Sequence, residues 1–534
     1  MRNPGTPADA LVVGAGFAGM YAIHKLRQLG LKVRAFEAAD DVGGTWWWNR
    51  YPGARCDVES MEYSYSFSDK LQQEWQWTEK YATQAEILAY ARHAADHMRV
   101  RDAIQFSTKV LSANFDSATG LWSVRTDRGD CALARMLIMA AGCLSQPQLP
   151  DLPGLKQFSG RVLHTGRWPH EPVDFRYQRV GIVGTGSSGI QLIPEVAKQA
   201  AHLTVFQRTP NFSLPAFNRP LAHEDIRWFK RHYAARREKA RYTPGGSSGF
   251  QPPDRAALDD SPERREQVYE QGWQKGSTAL LRSYRDILTN EQSNATLAEF
   301  VRSKIRKTVH EPEVAALLTP TDHPIGTKRV CLDSGYYETF NRANVRLVNL
   351  RSQPILKMTP TGVLAGGEEI PLDNLVFATG YDAITGAVLA IEVRVDGGPA
   401  LAQKWKDGAR AYLGLMTAGF PNLFLINGPG SPSVLANMIT GVEQHVEWIA
   451  DCLAFMREHL LTRIDADPAH EDAWVEHVDR LASATLLPRT NSWFKGANVP
   501  GKPRVFLPYA GGHGTYRMKC SDIAFRRYEG FIMG

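Results

Sequence analysis

No run in this chain approaches the ~18 consecutive apolar residues that a membrane-spanning helix needs, so no membrane partner is expected. The opening residues, Met1-Arg2-Asn3-Pro4-Gly5, lack the apolar core of a signal peptide and run almost straight into a strand. Export is therefore not expected, and the protein reads as cytoplasmic. The cysteines (Cys56, Cys131, Cys143, Cys331, Cys452 and Cys520) are few and scattered. None forms a CxxC pair or a zinc-type spacing, which argues against a metal centre and suits a reduced compartment. The formal net charge of +6 is modest for 534 residues. Without a dense basic stripe, nucleic acid is not an expected partner. Small anionic ligands are.

What the chain does contain is two glycine fingerprints. Gly14-Ala15-Gly16-Phe17-Ala18-Gly19 follows the apolar run Leu11-Val12-Val13, and Gly184-Thr185-Gly186-Ser187-Ser188-Gly189 follows Val180-Gly181-Ile182-Val183. Glycines at this spacing permit a tight strand-to-helix turn and bring a pyrophosphate against backbone N–H groups at the helix N-terminus. An isolated fingerprint is weak evidence, but here each stands between a strand pattern and a helix pattern. The expected fold is α/β with two Rossmann-like dinucleotide-binding domains. Residues 1–145 and 376–534 are assigned to the first domain and 146–375 to the second, with a charged helical insertion at about 221–318. The proline-rich stretch at 146–154 marks the first crossing, and a strand at Asn374-Leu375-Val376-Phe377 returns the chain through Ala378-Thr379-Gly380. The longest apolar run, 136–141, reads as a buried parallel strand, and a long amphipathic helix is predicted over 434–458.

The residue ending each second strand separates the ligands. Glu37 lies about twenty positions beyond the first glycines, where an acid hydrogen-bonds ribose hydroxyls and repels a 2′-phosphate. The first ligand is therefore FAD or NAD. The matching stretch of the second unit is Gln207-Arg208-Thr209. An arginine beside a hydroxyl suits a 2′-phosphate, so the second ligand is expected to be NADPH, leaving as NADP+. Taken alone, Glu37 and Arg208 could equally be solvated strand ends; their register with the glycines favours the binding role.

Between the two units, Phe158-Ser159-Gly160-Arg161-Val162-Leu163-His164-Thr165-Gly166-Arg167-Trp168-Pro169 matches the FxGxxxHxxxW-Pro signature of type I Baeyer–Villiger monooxygenases. Upstream, Gly43-Gly44-Thr45-Trp46-Trp47-Trp48-Asn49-Arg50-Tyr51-Pro52-Gly53-Ala54-Arg55-Cys56-Asp57 matches a second signature of that family. The chain resembles this family over nearly its whole length, and its phenylacetone and steroid monooxygenase branch most; residues 428–435 are similar to the active-site bulge of that branch. The resemblance implies an FAD enzyme that uses NADPH and O2 to insert oxygen beside a ketone carbonyl through a C4a-peroxyflavin, giving an ester or lactone. A monomer or weak homo-oligomer is expected.

The resemblance also implies roles. Arg329 aligns with the catalytic arginine and Asp57 with the carboxylate that orients it. An arginine suits the task because it keeps its proton near neutral pH and presents fixed charge where negative charge develops. Lys328 is expected to reach the 2′-phosphate with Arg208 and Thr209. Trp493 resembles the tryptophan that touches the NADP ribose as a C-terminal loop closes. Trp46, Trp47 and Trp48 are expected to wall the flavin, with Tyr63 and Met438 nearby. Gly44, Thr45, Arg55, Cys56 and Val110 complete the flavin side, and Ile190 and Gln191 the nicotinamide side, with the Cys56 thiol read as packing. His164 and Trp168 are read as structural anchors.

A sibling flavin monooxygenase that oxidises nitrogen or sulfur is the nearest rival; Trp168-Pro169 and Asp57 argue against it. A disulfide reductase would need a CxxxxC pair after the first unit, and none is present. A redox sensor that had lost catalysis would be expected to lack Arg329 or one fingerprint.

Overall fold

The computed structural model describes residues 6–534; Met1-Arg2-Asn3-Pro4-Gly5 lie outside the described residues. Two parallel-strand cores dominate. In the first, the strand Ala8–Val13 pairs in parallel with Val33–Phe36 on one side and with Cys131–Met139 on the other. Leu423–Leu425 adds to the far edge of Cys131–Met139. The run 136–139 is buried on both faces, as expected of a parallel strand covered by helices. In the second core, a five-stranded parallel sheet runs Val345–Asn349, His202–Gln207, Arg179–Val183, Asn374–Phe377, Arg161–His164.

Each core opens the same way. The strand Ala8–Val13 turns at Gly14, held at φ +101°, into the helix Phe17–Gln28; Arg179–Val183 turns at Gly184, φ +111°, into Ser187–Ala197. A side chain on Gly19 would lie 1.8 Å from the Gly14 carbonyl oxygen, and one on Gly189 would lie 2.2 Å from that of Gly184. The third glycine of each fingerprint therefore exists to let helix and strand touch. In both cores the nearest heavy atom beyond that carbonyl group is an alanine Cβ at 3.6 Å, Ala140 in the first and Ala378 in the second. This makes Ala140-Ala141-Gly142 and Ala378-Thr379-Gly380 equivalent backstops.

Several sequence expectations are corrected. The second strand of the first unit ends at Phe36, so Glu37 sits just beyond it. Residues 161–164, expected merely to precede the second unit, form the edge strand of its sheet. A boundary at 375 would cut the strand Asn374–Phe377; the chain leaves the second sheet only after Phe377. The long C-terminal helix begins at Met438 rather than 434, because Asn437 caps it through its side chain and a tight turn occupies Ser433–Leu435.

The helical insertion is also shared between cores rather than confined to the second. Its first helix, His223–Tyr242, packs on the first core. Tyr233 joins that hydrophobic cluster, Arg237 donates to the carbonyls of Glu62 and Met61 at 2.9 and 3.1 Å, and Arg236 pairs with Glu62 at 2.8 Å. The helices Pro262–Gln274 and Glu291–Thr308 bury Tyr269, Leu297 and Val301 in the second core. Charged residues dominate the first helix, so periodicity alone could not say which core its few apolar positions served. Among the described residues no helix is long and apolar enough to cross a membrane, and no group of His, Cys, Asp and Glu could hold a metal ion.

Candidate active site

Both glycine turns open into one cavity of about 1560 Å³ between the cores, well above the ~300–1,000 Å³ of a site for one small molecule. On the first side it is lined by Gly14, Gly16, Phe17, Ala18, Glu37, Gly44, Thr45, Arg55, Cys56, Tyr63, Val110 and Met438. Gly184, Thr185, Gly186, Ser187, Ser188, Gln191, Arg208, Thr209 and Lys328 line the second side. Asp57, Arg329 and Trp493 face the space where the two meet.

Not every expected residue reaches it. Gly19, Gly189 and Ile190 lie behind the helix N-termini, where they serve helix–strand packing; Ile190 is fully buried in the second core. Trp47 is a correction. Trp46 and Trp48 line the cavity, but Trp47 turns away onto His170, with ring centroids 4.4 Å apart, and beneath the Arg50 guanidinium. The three tryptophans occupy one helical turn, Thr45–Trp48. Successive side chains there point about 100° apart, so three in a row cannot share a face. His164 and Trp168 also stay outside the cavity. The His164 Nδ1 accepts from the Gly166 N–H at 2.9 Å, and the Trp168 indole is buried against Phe175.

The helices Phe17–Gln28 and Ser187–Ala197 begin at Gly16 and Gly186, neither of which offers a side-chain cap. Their first N–H groups are thus left uncapped beside the cavity, the arrangement that suits an anion. A Cβ on Gly186 would meet nothing within 4 Å, whereas one on Gly16 would press on Gly44 at 3.3 Å. Glu37 is buried and accepts from the N–H groups of Ala15 at 2.5 Å and Ala39 at 2.8 Å. Burial raises its carboxyl above the ordinary range although these donors oppose it. Chain segments from the two sides are tied where Tyr51 donates to Gln191 at 2.9 Å and Gln191 donates to the Arg55 carbonyl at 3.1 Å.

Arg329 is held on three sides. Its Nε donates to Asp57 Oδ2 at 2.8 Å, Nη2 to Oδ1 at 2.7 Å, and Nη1 to the Val434 carbonyl at 2.6 Å. A guanidinium has five N–H donors, so the three bonds leave one on each terminal nitrogen for a ligand. The Asp57 carboxylate, more than burial can offset, pushes the Arg329 proton affinity above its already high value. Burial alone would raise the Asp57 carboxyl, but the Arg329 charge and hydrogen bonds bring it below the ordinary value. Both shifts keep the pair ionised: Asp57 loses its charge only below its lowered value, and Arg329 only far into alkali. A pH–rate profile is accordingly expected to show no limb from this pair between about pH 5 and 10. Exchanging Asp57 for Asn and finding that a limb in that window disappears would contradict this.

At the far corner, Arg208, Thr209 and Lys328 line the cavity beside Arg351 and Asp322, neither of which sequence reasoning singled out. The missed signal was the run Val345–Asn349, a strand parallel to His202–Gln207, which delivers Arg351 to the same end of the sheet. At the near end, Trp493 opens a short turn, Trp493–Lys495, with its ring tilted against that of Phe494 at a centroid distance of 4.5 Å. Asn498 then anchors this loop on the Tyr381 carbonyl at 2.7 Å.

The flavin-binding monooxygenase-like family profile matches residues 9–218. A Baeyer–Villiger monooxygenase from Pseudooceanicola batsensis is 42% identical over 535 aligned residues, 99% of this chain and 97% of the relative. The chain belongs to the Baeyer–Villiger monooxygenase family. The fold of this family member matches an oxidised steroid monooxygenase bound to NADP with a TM-score of 0.94 and 50% identity, covering 99% of both chains. A phenazine N-monooxygenase from Lysobacter antibioticus is also similar, at 39% identity over 99% of this chain and 98% of the relative. Nitrogen oxidation is thus the named activity of one relative at this level of identity.

Proposed function

We propose that this protein is an FAD- and NADPH-dependent monooxygenase that inserts one oxygen atom from O2 beside a ketone carbonyl, giving an ester or lactone. The observation that carries this reading is the Arg329–Asp57 pair set between two uncapped glycine turns in one cavity. FAD, reduced by NADPH, supplies the activated oxygen when bound. We assign it to the first side, with Glu37 at the adenosine ribose and the N-terminus of Phe17–Gln28 at the pyrophosphate. NADPH is assigned to the second side, with Arg208, Thr209 and Lys328 at the 2′-phosphate and Trp493 over the ribose.

In this reading Arg329 directs its two unpartnered N–H groups at oxygen atoms that gain negative charge during the reaction. Its permanent proton gives stabilisation without acting as an acid. Asp57 fixes the plane of the guanidinium, and the Val434 carbonyl fixes its tilt. Apolar walls at Trp46, Tyr63 and Met438 exclude water that would otherwise screen this charge. The test is to load the protein with FAD, supply NADPH in air, and assay a panel of cyclic, aromatic and steroid ketones for oxygen-inserted product. Failure with every ketone would remove the assignment. The phenazine-oxidising relative favours a second reading, oxidation of nitrogen or sulfur; faster turnover of amines or sulfides than of any ketone would support it.

Arg208→Ala is expected to weaken NADPH by roughly 10–100-fold and NADH by less than about threefold, since only the former carries a phosphate for the arginine to grip. Equal losses in titrations of the two coenzymes would move the 2′-phosphate elsewhere.

A further inference from the structure

Three carboxylates line the cavity: Glu37, Asp57 and Asp322. Glu37 accepts from the N–H groups of Ala15 in the first glycine turn and of Ala39, and Asp57 from Arg329. Asp322 is different, because it stands among the cations assigned to the coenzyme phosphate. One of its oxygens forms an ion pair with Arg351, and the other accepts from His323 Nδ1 at 2.7 Å. Arg351 in turn reaches Thr209 Oγ1 at 3.4 Å, so the acid holds a cation at the mouth of the corner formed by Arg208, Thr209 and Lys328.

The two halves of this arrangement differ in strength. The Arg351 side chain is 54% exposed and Asp322 is 32% exposed, and an ion pair this wet is easily exchanged. A phosphate dianion, with three strong acceptor oxygens, competes well for such an arginine. The His323 side chain, by contrast, is 1% exposed, so the carboxylate is anchored from behind and stays when Arg351 is drawn away. Hydrogen bonds from His323 and Arg351 outweigh burial and bring the Asp322 carboxyl down to about 2, so it remains charged. An incoming phosphate thus gains Arg351 but meets a fixed like charge.

Resting on the assignment of NADPH to this corner, we propose that Asp322 is a specificity-determining residue, a built-in competitor for Arg351 that holds affinity for a 2′-phosphorylated coenzyme below what the surrounding cations could reach. Its role is to narrow the gap between phosphorylated and unphosphorylated coenzymes rather than to orient the reaction.

The experiment titrates NADP+ and NAD+ into the full-length, FAD-loaded protein by calorimetry at low ionic strength. Asp322→Asn keeps the size and a hydrogen-bond acceptor for His323, and is expected to tighten NADP+ roughly five- to tenfold while moving NAD+ less than about twofold. The gain should shrink as salt is raised, and should be much smaller when Arg351→Gln is already present. Asp322→Glu, which keeps the charge, should give no gain. Weaker NADP+ binding in Asp322→Asn would mean that the acid positions Arg351 for the phosphate, and would overturn the proposal. Equal changes for both nucleotides would make its role structural and overturn it too. Wild-type protein that binds NADP+ and NAD+ equally would remove the coenzyme assignment itself, a failure distinguishable from the others without any variant.

Discussion

Arg329→Ala is expected to yield a yellow protein that retains FAD and fails to make ester, with product formation down by roughly 10³-fold or more. The flavin should stay because the assigned flavin residues (the turn at Gly14, Glu37, and the helix Phe17–Gln28) are remote in sequence from Arg329 and do not depend on it. The chemistry should go for two reasons. The cavity loses its only assigned charge for the developing oxyanion, and Asp57 is left as a carboxylate without its partner. An unpaired, poorly hydrated carboxylate drives its own proton affinity up and repels negative charge on a neighbouring ligand. The variant should therefore be worse than one in which the charge is merely absent. Arg329→Lys would restore a charge but neither the paired bonds to Asp57 nor the simultaneous bond to Val434, and should recover little activity. Visible absorbance of the bound flavin, NADPH consumption and ketone product would be measured together. An alanine variant with undiminished product would refute the assigned role.

Gly19→Ala should be the most damaging single methyl group among the described glycines. The new Cβ would sit 1.8 Å from the Gly14 oxygen and 2.8 Å from its carbonyl carbon, both backbone atoms that no rotamer change can move. The helix Phe17–Gln28 would have to lift off its strand, carrying its N-terminal N–H groups away from the pyrophosphate position. We expect a protein that purifies with less than half its normal flavin content and melts roughly 5–10 °C lower. The contrasting control is Gly186→Ala, whose Cβ meets nothing within 4 Å. It should melt normally and keep its flavin while losing affinity for NADPH, because the room it fills is the room assigned to the coenzyme. If Gly19→Ala retained full flavin and normal melting, the packing role given to the third glycine would be wrong.

These cases show which parts of the protein were legible in the chain itself. The glycine spacings, the strand runs before them and the residues at the second strand ends are local patterns, and local sterics dictate their geometry. Both glycine turns accordingly form between a strand and a helix where the patterns place them, and Glu37, Arg208 and Thr209 line the cavity they open into. The Arg329–Asp57 pair was anticipated from family signatures alone. Nothing in residues so far apart could have predicted bidentate geometry from spacing.

What the sequence determined by itself is the pair of nucleotide-binding turns and the kind of charge each presents, because glycine torsion and side-chain chemistry act within a few residues. The tertiary structure alone decided the rest. It turned Trp47 out of the cavity, shared the helical insertion between two cores, brought Asp322 and Arg351 to the phosphate corner, and set the Val434 carbonyl on Arg329. Each of those outcomes depends on which surfaces bury one another across long stretches of chain, and that is settled by the packing of the whole molecule, not by any segment of it.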